Sequence, residues 1–249
     1  MEAPRRNRPP RKVLFAADRS AASRAALLAV ADLAVGAGIE VIVLHVDDRG
    51  RPEAARDLVK DMTWGLIALA VDAKAEVRRA GAGRVAAAIA AAAAAHGADL
   101  VVLGSRGRSD LGGLLTGSVS SQVLARVRCP VLLVRAGRRA SGRRRRVLVL
   151  LAGDEDLTEL TRTTAAVAER DAQVLVLHVL ADAGHELVER MVRGLRRCGV
   201  RARGRAHAAG AATAPEIASA AQGYGADLVV MGSPQLPALT APMRDRQAS

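Results

Sequence analysis

Three short segments from the first half of this chain recur, in the same order, in its second half. KVLFAAD at 12–18 is matched by RVLVLLAGD at 146–154, EVIVLHV at 40–46 by QVLVLHV at 173–179, and HGADLVVLGS at 96–105 by YGADLVVMGS at 224–233. A repeat of this kind indicates a chain built from two copies of one folding unit. Any fold proposed for the first copy must therefore also suit the second.

Within the first copy, short apolar segments alternate with longer segments of helical character. We expect strands at 13–17, 40–46, 99–103 and 130–134, with a weaker, partly exposed strand at 74–79. We expect helices from Ser20, a good N-cap residue, and over 51–71, 83–96 and 119–126. This alternation is typical of a parallel sheet with helices on both faces. We therefore predict an α/β fold with two tandem Rossmann-like sandwich domains of the five-stranded parallel-sheet type, the second of them truncated.

The composition suggests where these units begin and end. We predict a basic, disordered tail at 1–11, a first domain at 12–136, an Arg/Gly-rich linker at 137–146 and a second domain at 147–249. The net charge of +12 comes from 37 Lys and Arg against 25 Asp and Glu, and much of the excess lies in the tail and the linker. Such a surplus favours polyanionic partners, but basic runs like these are more typical of solvated tails and linkers.

Cysteine content and hydropathy indicate a cytoplasmic protein that does not associate with membranes. The two cysteines, Cys129 and Cys198, are too few for a disulfide framework and form no C-x-x-C metal pair. The basic, proline-rich start is unlike a signal peptide. The longest apolar helical segment, 85–95, is shorter than the ~20 residues that span a bilayer.

A glycine-rich segment, GSRGRSDLGGLLTGSVS at 104–120, follows the apolar strand at 99–103. Gly104 and Gly107 allow a tight turn and a close approach of the backbone to a ligand. Gly117 and Ser118 directly precede a predicted helix, whose first N–H groups attract phosphate. The segment is neither a Walker A loop nor a G-x-G-x-x-G loop. Its glycine content alone is equally compatible with a simple connecting loop.

The spacing Gly104-x2-Gly107-x9-Gly117-Ser118 resembles the nucleotide-binding motif of the universal stress protein family. VLFAADRSAASRAAL at 13–27, LHV at 44–46 and RCPVLLVR at 128–135 are also similar to segments of that family. The resemblance implies a five-stranded parallel sheet between helices and a site for ATP, with Mg or Mn as the accompanying cation. No residue is assigned a catalytic role or a role as a metal ligand.

The resemblance also implies a role for each residue of the site. Asp18 would lie near the adenosine, although it would equally suit a capping role at the next helix. Ala17 and Val46 would line the adenine pocket, and Leu103 and Gly104 would flank the ribose. The phosphates would be surrounded by Arg106, Gly107, Gly117, Ser118 and Val119. Arg106 occupies a variable position, where a solvated arginine is an equal alternative.

The second copy departs from this pattern after its last matched segment. It continues as PQLPALTAPMRDRQAS at 234–249, with prolines instead of the glycines and no later Gly-Ser. Proline removes backbone N–H donors, which a phosphate loop needs. We therefore expect one ATP site per chain and a second copy without the final helix and strand.

Two functions remain open from the sequence. The favoured one is an ATP-binding stress-response or regulatory protein that acts on an unidentified protein partner, with at most slow ATP hydrolysis. The alternative is a non-enzymatic polyanion-binding or scaffold protein with a vestigial nucleotide loop. Nucleic acid is the less favoured partner, because the chain has only three aromatic residues for stacking on bases.

The predicted truncation of the second copy also bears on assembly. A second copy without a final strand would leave the strand at 130–134 with an unpaired apolar edge. Exposed edges of this kind pair with other strands. We therefore expect a homodimer joined through the first domain at this edge.

Overall fold

The computed structural model describes residues 9–81, 83–105, 119–136, 145–151, 156–168, 172–178, 184–206 and 214–232. These residues form nine strands and seven helices. The first half contains β1 Lys12–Ala16, α1 Ala21–Ala34, β2 Glu40–Asp47, α2 Pro52–Ile67, β3 Asp72–Arg79, α3 Val85–His96, β4 Leu100–Ser105, α4 Val119–Leu124 and β5 Val131–Arg135. The second half contains β6 Arg146–Leu151, α5 Leu157–Val167, β7 Gln173–His178, α6 Gly184–Arg197, β8 Arg201–Ala206, α7 Ala214–Tyr224 and β9 Leu228–Met231.

All nine strands belong to one sheet with the order β3-β2-β1-β4-β5-β9-β6-β7-β8. Strand pairs within each half are parallel, and the order β3-β2-β1-β4 recurs in the second half as β8-β7-β6-β9. The predicted α/β class with tandem Rossmann-like halves is thereby confirmed. The halves meet in a single antiparallel pair, β5 with β9.

Strand β5 has a partner on both of its edges. It pairs with β4 on one side, and on the other Leu132 lies opposite Val230 of β9. The predicted unpaired edge at 130–134 is therefore wrong, and so is the homodimer contact predicted there. The physical reason is that β9 takes the edge within the same chain. One strand, β5, thus completes the five-stranded arrangement of both halves.

Helices cover both faces of the sheet, as buried parallel strands require. On one face α1, α2, α5 and α6 pack over an apolar cluster that contains Phe15 and Val149. On the other face α3, α4 and α7 pack over a cluster that contains Leu14 and Leu148. Alternate residues of the same strands face opposite layers, which is why these strands are apolar along their whole length. No helix in the described ranges is both long and apolar enough to cross a bilayer.

Candidate functional site

The strand order of the first half places a crevice between the carboxyl ends of β1 and β4. The chain leaves β1 for β2 on one side and returns after β3 to β4 on the other, so Ala16 lies opposite both Leu44 and Leu103. In doubly wound sheets, ligands bind at such a reversal of strand order. Asp18 follows β1, and Gly104 lies near the end of β4. The structure thus brings together the start of both predicted site segments.

Asp18 is held in a turn between β1 and α1. Its Oδ1 accepts the backbone N–H of Ser20 at 2.9 Å, and its own N–H donates to Ser23 Oγ at 2.9 Å. The N-cap of α1 is Ser20, whose Oγ accepts the Ser23 N–H at 3.1 Å. The alternative role of Asp18 as a helix cap is therefore wrong, because Ser20 already fills it. The turn fixes the carboxylate at the crevice.

Ser23 is a positioning residue that the sequence analysis missed. It is buried, and its hydroxyl and its backbone N–H connect Asp18 to the cap of α1. The S-x-x-S spacing of Ser20 and Ser23, which resembles a capping box, was the available signal.

Gly104 is required because α1 approaches β4 closely. A Cβ at this position would lie 2.5 Å from the carbonyl carbon of Ala22 and 2.6 Å from the backbone nitrogen of Ser23. The sequence predicted a glycine that leaves room for a ligand. The structure gives a different reason, since the first turn of α1 fills the space.

Three of the predicted lining residues share one face of the sheet. Val46, Leu103 and Val119 all pack in or against the apolar cluster beneath α3 and α4. Ala17 instead belongs to the cluster on the opposite face. Its N–H donates to the Leu44 carbonyl at 2.7 Å, and its carbonyl contacts His45 Nδ1 at 2.8 Å. Ala17 can therefore reach a ligand on the first face only through its backbone carbonyl.

The remaining site residues, Arg106, Gly107, Gly117 and Ser118, lie outside the described residues. Helix α4 begins at Val119 as predicted and ends at Leu124, two residues before the predicted end. A helix of six residues offers free N–H groups at its start but only a small dipole. Phosphate binding at this end would therefore depend on the N–H groups themselves.

Asp47 departs from the expectation that Asp47 and Asp48 are both solvated. Its side chain is buried, and Oδ1 accepts the backbone N–H groups of Arg49 at 3.1 Å and Arg51 at 3.0 Å. These hydrogen bonds, that of Arg51 above all, hold the pKa of the Asp47 carboxyl below its usual range. Asp47 thus organises the turn from β2 into α2, next to the crevice.

The other ionisable groups have structural surroundings. His45 joins β1 to β2 through the Ala17 carbonyl, which confirms its predicted role in the fold. Burial raises the pKa of the Cys129 thiol to about 12, so it is not a reactive thiolate. Within the described ranges, no group of three or more His, Cys, Asp and Glu residues could hold a metal ion.

The equivalent crevice of the second half opens at the opposite edge of the sheet, because β9 runs antiparallel to β5. It lies after Leu151 of β6 and Met231 of β9. The segments that follow, 152–155 and 233–249, lie outside the described residues. The predicted loss of the second phosphate loop and of the final helix and strand therefore stay predictions.

The topology and the crevice together define a doubly wound α/β protein. The model of the universal stress protein family matches residues 10–135. This match spans half of the chain, and the chain belongs to the universal stress protein family.

Individual relatives agree with this assignment. A universal stress protein of Thermus aquaticus is 53% identical over 53 residues, which are 21% of this chain and 39% of that protein. A universal stress protein structure from Archaeoglobus fulgidus DSM 4304 superposes with a TM-score of 0.59 at 16% identity, covering 91% of this chain and 97% of that one. A protein of unknown function from Pseudomonas aeruginosa PAO1 gives 0.52 at 16%, covering 87% and 79%. At this identity the two structures show the fold alone, and they share it across both halves.

Proposed function

We propose that this chain is a cytoplasmic, ATP-binding regulatory protein with one nucleotide site, in the crevice of the first half. One observation carries the proposal. The oriented carboxylate of Asp18 and the start of the glycine-rich segment at Gly104 meet at the ends of two adjacent strands, where the strand order reverses. The family membership of residues 10–135 supports it.

The described residues suit an adenosine. Val46 and Leu103 offer an apolar surface for the adenine on one face of β1. The Asp18 carboxylate can accept a hydrogen bond from a ribose hydroxyl, and the Ser20 N–H keeps it in place. The phosphates would then lie along the segment with Arg106, Gly107, Gly117, Ser118 and the N–H of Val119. An Mg or Mn ion would be held mainly by phosphate oxygens.

The site has a direct mechanical connection to α1. Asp18, Ser20 and Ser23 form one hydrogen-bonded turn, and the backbone of Ser23 packs on Gly104. A nucleotide that contacts Asp18 therefore bears on the start of α1 and on the end of β4 at once. We propose that nucleotide occupancy alters the surface offered to a protein partner through this turn. We expect ATP hydrolysis, if measured, to be slow.

Nucleotide binding can be tested on the protein as purified. Denaturation followed by chromatography should release adenine nucleotide. Titration calorimetry of nucleotide-free protein should give one site per chain with micromolar affinity, about −8 kcal/mol. Gly117→Val should abolish binding, because it places a side chain in the phosphate site. Two equal sites per chain, or unchanged affinity in the variant, would contradict the proposal.

Asp18→Ala should weaken ATP binding more than it destabilises the fold. Loss of a charge-assisted hydrogen bond costs about 1.5–3 kcal/mol, which corresponds to an affinity lower by roughly 10- to 150-fold. Ser20→Ala is the matched control. It should cost the fold ~1 kcal/mol through the lost cap and leave the affinity nearly unchanged. Calorimetry and thermal melting of both variants distinguish the roles, and a lower melting temperature with unchanged affinity in Asp18→Ala would count against the assignment.

A further inference from the structure

Strand β8, at the outer edge of the sheet in the second half, carries three arginines on one face. Arg201, Arg203 and Arg205 alternate with Ala202 and Gly204, and all three arginines are exposed. Ala202 packs in the cluster beneath α6, and a Cβ at Gly204 would meet Val188 of α6. Because successive residues of a strand point to opposite faces, the arginines lie on the face away from α6.

The first half provides an internal comparison for this strand. The edge strand β3 pairs with β2 from Asp72 opposite Glu40, as β8 pairs with β7 from Arg201 opposite Gln173. Asp72, Lys74 and Glu76 therefore correspond in register to Arg201, Arg203 and Arg205. Both acids of β3 are replaced by arginine in β8, and Glu40 is replaced by Gln173.

The charges on β3 are mixed and paired. Lys74 Nζ lies 2.6 Å from Glu40, and Glu76 pairs with both Arg78 and His96. On β8, by contrast, none of the three guanidinium groups has a carboxylate partner among the described residues. The position of His96 is taken by Tyr224, and Arg203 lies 5.4 Å over its ring. The second half has thus exchanged a neutralised edge for a row of unneutralised cations.

Protection of the sheet edge does not account for this exchange. Charged side chains on an edge strand prevent pairing with other chains. The mixed charges of β3 already achieve this protection, so it does not require a single sign of charge. A row of one sign costs repulsion between neighbours, which a polyanionic ligand would relieve.

We propose that the row Arg201–Arg203–Arg205 binds the phosphate backbone of a nucleic acid duplex without reading its sequence. Alternate residues of a strand are about 6.6 Å apart, so the row presents three cations along a straight line. Guanidinium groups bind phosphate oxygens in a bidentate manner. This surface is separate from the crevice between β1 and β4, so the inference does not depend on the proposed ATP site.

The surroundings of the row favour a duplex over the other polyanions. The Tyr224 ring is buried, its hydroxyl donates to the Gln173 carbonyl at 2.8 Å, and Arg146 and Arg203 both lie over it. It is therefore not available for stacking on unpaired bases, which single-strand binders need. The three-arginine row itself includes no apolar side chain to anchor an acidic protein segment, whereas protein interfaces depend on such anchors.

The test measures binding of the full chain to a fluorescently labelled, mixed-sequence DNA duplex of about 20 base pairs between 50 and 200 mM salt. Arg201→Asp/Arg205→Glu gives β8 the acids of β3. It should lower the affinity at least tenfold and reduce the slope of log K against log salt by about 2, since each phosphate contact contributes roughly 0.9. Arg56→Asp/Lys60→Glu, on the exposed side of α2, changes the net charge equally and should leave the slope unchanged.

Two further measurements keep the result decisive. Arg201→Gln/Arg205→Gln neutralises the row without reversing its charge and should give the same loss of slope in a chain that melts like the wild type. An equal loss in the α2 variant, or no loss in either β8 variant, would overturn the proposal, because the general charge would then explain binding. Binding of polyglutamate without binding of the duplex would also overturn it, in favour of an acidic protein partner.

Discussion

At the scale of single residues, Gly104 shows the strongest constraint in the candidate site. The Cβ of an alanine there would collide with backbone atoms of Ala22 and Ser23, which cannot rotate away. We expect Gly104→Ala to lower the free energy of unfolding by about 1–3 kcal/mol, the usual cost of overpacking. It should also weaken ATP binding, because displacement of α1 moves the turn that holds Asp18. Urea denaturation and calorimetry measure the two effects.

Gly81→Ala is the matched control for this substitution. Nothing lies within 4 Å of the position that a Cβ would occupy at Gly81, and its backbone is not left-handed. This variant should keep the stability of the wild type to within about 0.5 kcal/mol. If both glycine variants unfold alike, the close approach of α1 to β4 has no energetic consequence.

The residues of the site were predictable to different degrees. Ser20 was predicted as the start of α1 because capping preferences are local, and its hydroxyl does cap the helix. The need for glycine at 104 was predicted, but its reason was not, since the contact with α1 joins segments far apart in the chain. The burial of Asp47 was missed for a similar cause. Its position after β2 is polar in sequence, whereas its surroundings are set by the turn into α2.

At the scale of elements, the boundaries of the helices depend on their last turns. Helix α2 was predicted to reach Val71 and ends at Ile67, because Ala70 adopts a left-handed backbone with φ of 59°. The N–H of Val71 then bonds to the Leu66 carbonyl at 3.1 Å and closes the helix. Helix α3 ends in a similar way at Gly97. Glycine marks such an end in a sequence, and alanine does not, so the strands were easier to predict than this boundary.

Ala70→Gly should therefore stabilise the protein. The left-handed conformation costs an alanine about 1–2 kcal/mol, and the greater freedom of glycine in the unfolded chain offsets roughly 0.5–1 kcal/mol of that gain. We expect a net increase of about 0.5–1 kcal/mol in the free energy of unfolding. Urea denaturation measures it. The same substitution at Ala54, inside α2, should destabilise the protein, and a loss of stability in Ala70→Gly would refute the role assigned to this residue.

At the scale of the whole molecule, the two halves are joined through β5. Besides its ladder with β9, Arg135 donates to the Ala226 carbonyl at 3.0 Å, and Arg145 pairs with Asp32 of α1 at 2.8 Å. The sequence correctly predicted two copies of one fold, but not this junction. Apolar strands such as 131–135 and 228–231 carry no pattern that selects their neighbour, and pairing between distant segments is decided by the packed sheet.

A continuous sheet predicts that both halves unfold in one transition. The chain has one tryptophan, Trp64 in α2, and one tyrosine, Tyr224 in α7, so each half carries its own spectroscopic probe. Leu160→Ala removes a fully buried side chain of α5 and should cost about 2–5 kcal/mol. If the halves are one cooperative unit, the Trp64 and Tyr224 transitions coincide in the wild type, and this variant shifts both to the same lower denaturant concentration. ATP at a hundred times its dissociation constant should shift both upward by about 2.7 kcal/mol, although it binds only the first half. A variant in which the Tyr224 transition moves while that of Trp64 stays would show that the ladder between β5 and β9 does not couple the halves.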